Sequence, residues 1–444
     1  MALSLFQSPL HAALLGDHQV GALLSDETEI AMMIRIEAAL AKVQGRLGVI
    51  PQAAAAAIVA GLETITIAPE TLAQGMGKDG VAAPALVAAL RRSLPEEAAP
   101  FLHWGATSQD IADTALVLRL QAVFELFDAR LDRLIVALAA LARRHRATPC
   151  LARTRTQQAA PTLFGLKAAQ WLAPLARHRQ RLEDMRPRVL CCQSGGAVGT
   201  LAAMGEAGIG AMDALADDLG LARAVPWHKG RDGIAEAASL LAMISASLGM
   251  MGADMLALAQ SEVSEIRFEG AGASSTLPQK QNPVLAEMLV ALARYAASEM
   301  GGLYGAMIHQ NERDGAAWMA ESLSLPGLML ATGSALLRAE AALQTLVVDE
   351  ARMTANLAAT RGFVFAEAAG FALSAHMPRA EALALVKKAL IEAEARGETL
   401  FDALARLSTA PVDWKALADP LQQLRPAQLL IDRMLAQTVI PDAA

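Results

Sequence analysis

The chain has 444 residues, a formal net charge of −7 from 38 basic and 45 acidic side chains, and a mean hydropathy of +0.34. Charge of this sign, scattered along the chain, excludes the basic stripe that nucleic-acid binding requires; three cysteines, two of them adjacent (Cys191, Cys192), make neither a disulfide framework nor a paired CxxC metal pattern. A hydrophobic share of 54% with only 2 Tyr and 10 Phe points to Ala/Leu-rich helices, in a chain too long for one ordinary domain.

Residues 1–110 read as an N-terminal helical domain of short elements, broken by Pro9, Pro51, Pro69, Pro84, Pro95 and Pro100. No Lys or Arg precedes Arg35, so the basic start of a secretory leader is missing and a cytoplasmic location is expected. Gly75–Gly80 spells GxGxxG, but no βαβ unit surrounds it and Pro84 follows, so it reads as a glycine-rich connection. From Ile111 the character changes: Val117, Leu118, Leu120, Val123, Phe124, Phe127, Leu131, Leu134, Ile135, Leu138 and Leu141 keep helical spacing. A helix of about 35 residues would be about 50 Å long, with Asp110 and Asp113 as caps and the Arg143–Arg146 cluster at its C-terminus.

Further long helices are expected over 161–186, 234–269, 283–310 and 326–346, so that 111–346 forms a central five-helix bundle. The longest uncharged apolar run, 237–253, falls short of the roughly 20 residues a membrane span needs; it reads as a core helix buried all round, and no membrane partner is expected. Faces this apolar exceed what one subunit can bury, so the bundle should pack against copies of itself. Residues 347–444, with Pro378, Pro411, Pro420 and Pro426, read as a small C-terminal helical domain.

Polar islands interrupt these helices. Residues 103–110, His-Trp-Gly-Ala-Thr-Ser-Gln-Asp, place His103, Thr107 and Ser108 in a turn before the first long helix, fit either for capping or for holding a carboxylate at a helix N-terminus. Arg153 and Arg155 alternate, which puts them on one face of an extended segment and suits carboxylate recognition. Residues 192–200 are glycine-rich, and 311–315 add Arg313. The Gly272–Pro283 stretch gathers Ser274, Ser275, Lys280 and Asn282 in a segment too rich in Gly and Pro for helix, flanked by an apolar helix running to about Glu269 and another starting at Pro283. With Arg153, Arg155, Lys280 and Arg313 as cations, a small tricarboxylate substrate would fit. Eight isolated histidines, without HExxH, give no metal site.

The Ser-Ser-x-Leu-Pro-x-Lys-x-Asn pattern of the loop, with the two earlier islands in order, resembles the three signature regions of the fumarase/aspartase superfamily. The resemblance covers essentially the whole chain. It implies an all-α, three-domain fold (1–110, 111–346, 347–444) whose central bundles merge in a homotetramer into a twenty-helix core, with active sites shared between subunits and no metal or organic cofactor. It assigns Ser274 as the catalytic serine and Lys280, catalytic, with Asn282 as holders of a substrate carboxylate. Thr107 and Ser108 match the hydroxyl pair of the first region, and His103 a histidine seen there in the adenylosuccinate lyase branch. Arg153, Thr154 and Gln157 match the Arg-Thr-His-x-Gln second region; Ser275 and Arg313 complete the expected substrate-binding set.

Two positions depart from the pattern. Ala273 replaces a usual glycine, a mild change that stiffens the loop. Arg155 stands where most members carry the histidine that protonates the leaving group. Amines and hydroxide need that proton; a carboxylate, whose conjugate acid has a pKa of about 4, does not. Expected chemistry is therefore that of a lactone-closing branch, in which a carboxylate adds across a diene. An adenylosuccinate-lyase-like elimination and a non-catalytic structural relative are the alternatives.

Overall fold

The computed structural model describes residues 4–270, 272–273 and 276–440. Helix dominates, and five helices are long: Ser108–Arg144, Phe164–Val189, Asp232–Ala259, Val284–Ala306 and Gly315–Thr345. The chain divides into two compact units. One comprises Met1–Arg130, His178–Gly249 and Ala291–Leu337; the other comprises Leu131–Arg177, Met250–Val290 and Arg338–Ala444. Each boundary falls inside a long helix, so every long helix contributes to both units.

In the first unit, the Asp26–Arg46 helix starts where Ser25 Oγ accepts the Thr28 N–H, with Asp26, Glu27 and Glu29 at its positive end. Its buried stripe, Ile30, Met33, Ile34, Glu37, Leu40, Ala41 and Gln44, follows three- and four-residue spacing and packs on the Gln52–Leu62 and Gly208–Leu219 helices. Gly75 and Gly77 lie inside the Pro69–Asp79 helix, and Gly80 (φ 71°) ends it, so the GxGxxG segment is not the connection expected. A Cβ at Gly75 would meet the Ala85 Cβ at 2.5 Å: glycine there allows two helices to approach.

Short strands and local hydrogen bonds move several helix ends from those expected. Strands β1 (Pro149–Thr154) and β2 (Gln157–Leu163) form an antiparallel hairpin, so Pro161 lies in a strand and the helix begins at Phe164. The helix expected to reach Glu269 stops at Ala259, because the Ser264 hydroxyl and backbone turn back onto Gln260 and Ser261 carbonyls. Strand β3 (Ile266–Phe268) follows, then the two-residue strands β4 (Gly272–Ala273) and β5 (Gln281–Asn282). Strand β6 (Leu346–Val348) pairs antiparallel with β3. Pro326, expected at a helix start, sits inside Gly315–Thr345; an internal proline costs about 3 kcal/mol, offset by burial of Leu325, Leu328 and Met329 around it. The helix expected to run to 310 ends at Ala306, after Gly301, Gly302 and Gly305.

Residues 237–253 lie in the Asp232–Ala259 helix, which by length and composition could cross a membrane; 61% of its most apolar stretch is buried in the protein. It is not buried all round: Met243 and Met250 are exposed. In the second unit, Leu373, Val386, Leu400 and Leu404 form the core of the C-terminal helices.

Candidate active site

In the first unit the 103–110 island folds as a turn pinned by one carboxylate. Thr107 precedes the Ser108–Arg144 helix, and Asp110 Oδ2 accepts the Thr107 N–H at 3.0 Å, closing half of a capping box. Asp110 is therefore three residues inside the helix end, not its cap. Its buried carboxylate also accepts the N–H groups of Gly195 and Gly196 (both 2.9 Å) and Gln193 Nε2 (3.2 Å), and lies 2.8 Å from His228 Nε2. Five partners thus draw the glycine-rich island and His228 onto the helix start. A Cβ at Gly196 would meet the Gly105 carbonyl at 2.8 Å, so these backbones touch. Asp113, the other expected cap, is consumed by Arg231 (2.7 and 3.1 Å). Arg313 reaches the same region, donating to the Ala197 carbonyl at 3.0 Å.

Thr107 and Ser108 are half-buried, and their hydroxyls make no hydrogen bond among the described residues. His103 has φ 63° and places Nδ1 2.6 Å from Glu37 Oε1. Burial alone would push the imidazole down; the hydrogen bond and charge of Glu37, helped by Asp110 and opposed by Arg91, outweigh burial and raise it above its ordinary value.

In the second unit the hairpin places Thr154 opposite Gln157, so Arg155 (φ 50°) and Thr156 (φ 68°) form its two-residue turn. Turns with positive φ at both central residues favour Asn-Gly; Arg-Thr is a strained choice, about 1–2 kcal/mol per residue. The expected single face holding both arginines is replaced by this reversal. Arg153 stays on the strand and binds Glu265, at 3.0 and 3.4 Å. Glu265 is itself fully buried and accepts from Asn356 at 2.9 Å. Arg155 is exposed, and its guanidinium has no partner among the described residues. Thr154 and Gln157 are exposed at the hairpin end.

The signature loop is closed at its base by the β4–β5 pairing, Gly272 opposite Asn282 and Ala273 opposite Gln281. Lys280 is exposed, with its backbone N–H bonded to Leu277 O and its ammonium unpaired among the described residues. Ser274 and Ser275 lie outside the described residues.

Backbone strain marks these islands. Seven non-glycine residues have positive φ in the described chain, and five of them, His103, Arg155, Thr156, Leu201 and Asn311, lie in or beside the segments named above. Strain of this kind persists where surroundings over-determine it, as functional sites do. The residues missed by sequence reading are the buried partners Glu37, Asp110 as a hub, His228 and Glu265. A carboxylate inside an apolar helical stripe, as at Glu37, was the available signal. Among the described residues no group of three His, Cys, Asp or Glu side chains could hold a metal. The buried Cys150 and Cys192 thiols are pushed up to about 12 by desolvation, which makes them inert. A cavity of about 640 Å³ beside Phe365, Phe401 and Trp414 contains none of the expected site residues.

The family model described as Lyase matches residues 21–297. A 3-carboxy-cis,cis-muconate cycloisomerase of Bradyrhizobium diazoefficiens is 40% identical over 96% of this chain and 98% of its own. A nitrosuccinate lyase of Streptomyces davaonensis is 38% identical over 93% of this chain and 91% of its own. The crystal structure of the 3-carboxy-cis,cis-muconate lactonizing enzyme from Pseudomonas putida superposes with a TM-score of 0.89 at 34% identity, covering 97% of this chain and 98% of that one.

Proposed function

Because the chain belongs to the fumarase/aspartase superfamily of lyases, we propose that it converts 3-carboxy-cis,cis-muconate to 4-carboxymuconolactone, a step in aromatic-acid breakdown. The observation that carries this reading is Arg155: an exposed cation, unpaired among the described residues, on a strained hairpin turn at the position where the resemblance puts the acid of other branches. A cation there suits a reaction whose nucleophile is a carboxylate and whose reverse leaving group needs no proton.

In the proposed reaction one substrate carboxylate oxygen bonds to a diene carbon. The displaced electron pair moves toward the carbon beside a second carboxylate, which takes on aci-carboxylate character. Lys280, Asn282, Thr107 and Ser108 hold that carboxylate and stabilise the charge. Ser274 delivers the proton to carbon and is reprotonated from solvent; Lys280, nearest in sequence, activates it. Arg155 orients the attacking carboxylate. His103, Ser275, Thr154, Gln157 and Arg313 complete the substrate contacts, and Arg153, held by Glu265, orients the hairpin.

The same reading makes the protein a cytoplasmic homotetramer with shared sites and a twenty-helix core, built from segments 1–110, 111–346 and 347–444. Exposed Met243, Met250, Tyr304 and Leu323 on the long helices support burial against copies of the chain. Buried free cysteines support a reducing compartment.

A second reading is favoured by the nitrosuccinate lyase relative: loss of nitrite from a nitro-substituted succinate also needs no strong acid, and Arg155 would receive the anion. Loss of diene absorbance with 3-carboxy-cis,cis-muconate, beside nitrite release from nitrosuccinate, separates the two. Diene loss without nitrite release, reduced at least about 100-fold in Ser274→Ala, is expected. Nitrite release alone would replace the first reading with the second.

A further inference from the structure

Glu37 stands in the middle of the apolar stripe of the Asp26–Arg46 helix, its side chain fully buried among Ile30, Met33, Ile34, Leu40 and Ala41. An ionised carboxylate in such a place costs several kcal/mol unless a cation pairs with it. Helix packing alone would be served by leucine. The pairing group is His103, with Nδ1 2.6 Å from Oε1, while Oε2 has no partner among the described residues. His103 in turn occupies a left-handed conformation that disfavours any residue with a Cβ. With Nδ1 committed to Glu37, Nε2 is the remaining polar atom of a ring that is 17% exposed, on the same turn as Thr107 and Ser108.

Three charged groups act on this imidazole: Glu37 from the Asp26–Arg46 helix, Asp110 from the Ser108–Arg144 helix, and Arg91 from the Ala83–Ser93 helix. Asp110 is already shared among five partners, and Arg91 donates to the Leu102 carbonyl at 2.9 Å. Glu37 therefore makes the direct contact that fixes both the ring's orientation and its charge.

We propose that Glu37 is a positioning residue that keeps His103 as an imidazolium, with Nε2–H presented to a carboxylate of the substrate seated on the Thr107–Ser108 turn. The assignment rests on the polycarboxylate substrate proposed above. It gives the site a cation that does not come from Arg or Lys. That cation is lost as pH rises through the raised His103 value.

The test uses the full-length protein with ring-¹³C-labelled histidine, His103→Asn supplying the assignment, and propane-1,2,3-tricarboxylate as a non-reacting probe. In the parent protein His103 should titrate above the ordinary imidazole value, and Glu37→Gln should lower it. Calorimetric binding of the probe, at a pH between the measured His103 titrations of the parent protein and of Glu37→Gln, should weaken at least about tenfold in the variant, the loss of one charge-assisted contact. KM for the muconate should rise in parallel with kcat nearly unchanged, and the difference should vanish once pH falls below the measured His103 titration of the variant. Glu37→Asp keeps the charge but disturbs packing as much, and should recover most of the binding. An unmoved His103 titration in Glu37→Gln, or Glu37→Asp binding no better than Glu37→Gln, would overturn the proposal. Failure of the muconate to react, with titration and probe binding as expected, would instead count against the reaction proposed above.

Discussion

Replacing Asp110 by Asn should be far more damaging than an isosteric change suggests. Oδ1 of Asp110 faces Gln193 Nε2, the Gly195 N–H and His228 Nε2, while Oδ2 faces the N–H groups of Thr107 and Gly196. An asparagine must put its NH2 on one of these two sides. On the Oδ2 side it meets two backbone donors that cannot turn away. On the Oδ1 side it meets the Gly195 N–H and Gln193, whose own Oε1 is committed to the Trp227 N–H at 2.7 Å; only His228 can adapt, by changing tautomer. Either orientation leaves at least two buried donors without an acceptor, at about 1–3 kcal/mol each. The expected loss is about 2–6 kcal/mol, a large part of the 5–15 kcal/mol that typically separates folded from unfolded protein. Urea unfolding at fixed protein concentration, followed by tryptophan fluorescence, measures it. Trp227 is a local reporter, stacked 4.8 Å from the Arg231 guanidinium beside the network. The midpoint should fall by about 1 M or more, and kcat/KM should fall with it because the Thr107–Ser108 turn loses its anchor. A midpoint within about 0.2 M of the parent would show that the donors find other acceptors and that Asp110 is not the hub described.

Three further outcomes are expected. Arg155→His should lower kcat/KM for the muconate at least about tenfold, the weight of one charged contact; a rise in activity would refute the carboxylate assignment of that position. Cys150, Cys191 and Cys192 are buried with thiols raised by desolvation, so iodoacetamide at about pH 8 should leave the native protein unmodified, and mass spectrometry should find three adducts only after denaturation. His145 is lowered below its ordinary value by burial, against the pull of Glu350. The unfolded chain then binds the extra proton more readily, so this residue's contribution is present above the ordinary imidazole value and is lost as pH falls from there through the lowered folded value. His145→Gln should flatten the acid limb of the stability–pH curve; an unchanged limb would place that limb's origin elsewhere.

The long helices were legible because their signal is repetitive. Eleven apolar positions from Val117 to Leu141 keep one spacing, and a single misread residue cannot erase it. Their ends were not, because an end is decided by a few local hydrogen bonds. Ser264 turning back on Gln260, or burial of Leu325 and Leu328 holding a helix through Pro326, leaves no periodic trace. The hairpin of β1 and β2 was hidden for a related reason. Its turn residues, Arg155 and Thr156, are not turn formers, so the Asn-Gly signal of a two-residue hairpin turn is missing.

The same contrast separates the expected site residues from their supports. Thr107, Ser108, Arg155, Lys280 and Asn282, the residues proposed to meet the substrate, lie on exposed or half-buried segments and announce themselves by being polar where the chain is otherwise apolar. Glu37, Asp110, His228 and Glu265 act through contacts with residues from 66 to 118 positions away, which no local pattern encodes. Each is a buried ionisable or hydrogen-bonding group whose presence costs stability unless a distant partner is in place. Such a group is itself a sequence clue: a charge at a stripe position that periodicity reserves for the core requires a partner, and Glu37 meets that condition. Asp110 did not, because a helix start explains an aspartate without any partner. The clue therefore works inside helices and fails at their ends, where the polar islands of this chain lie.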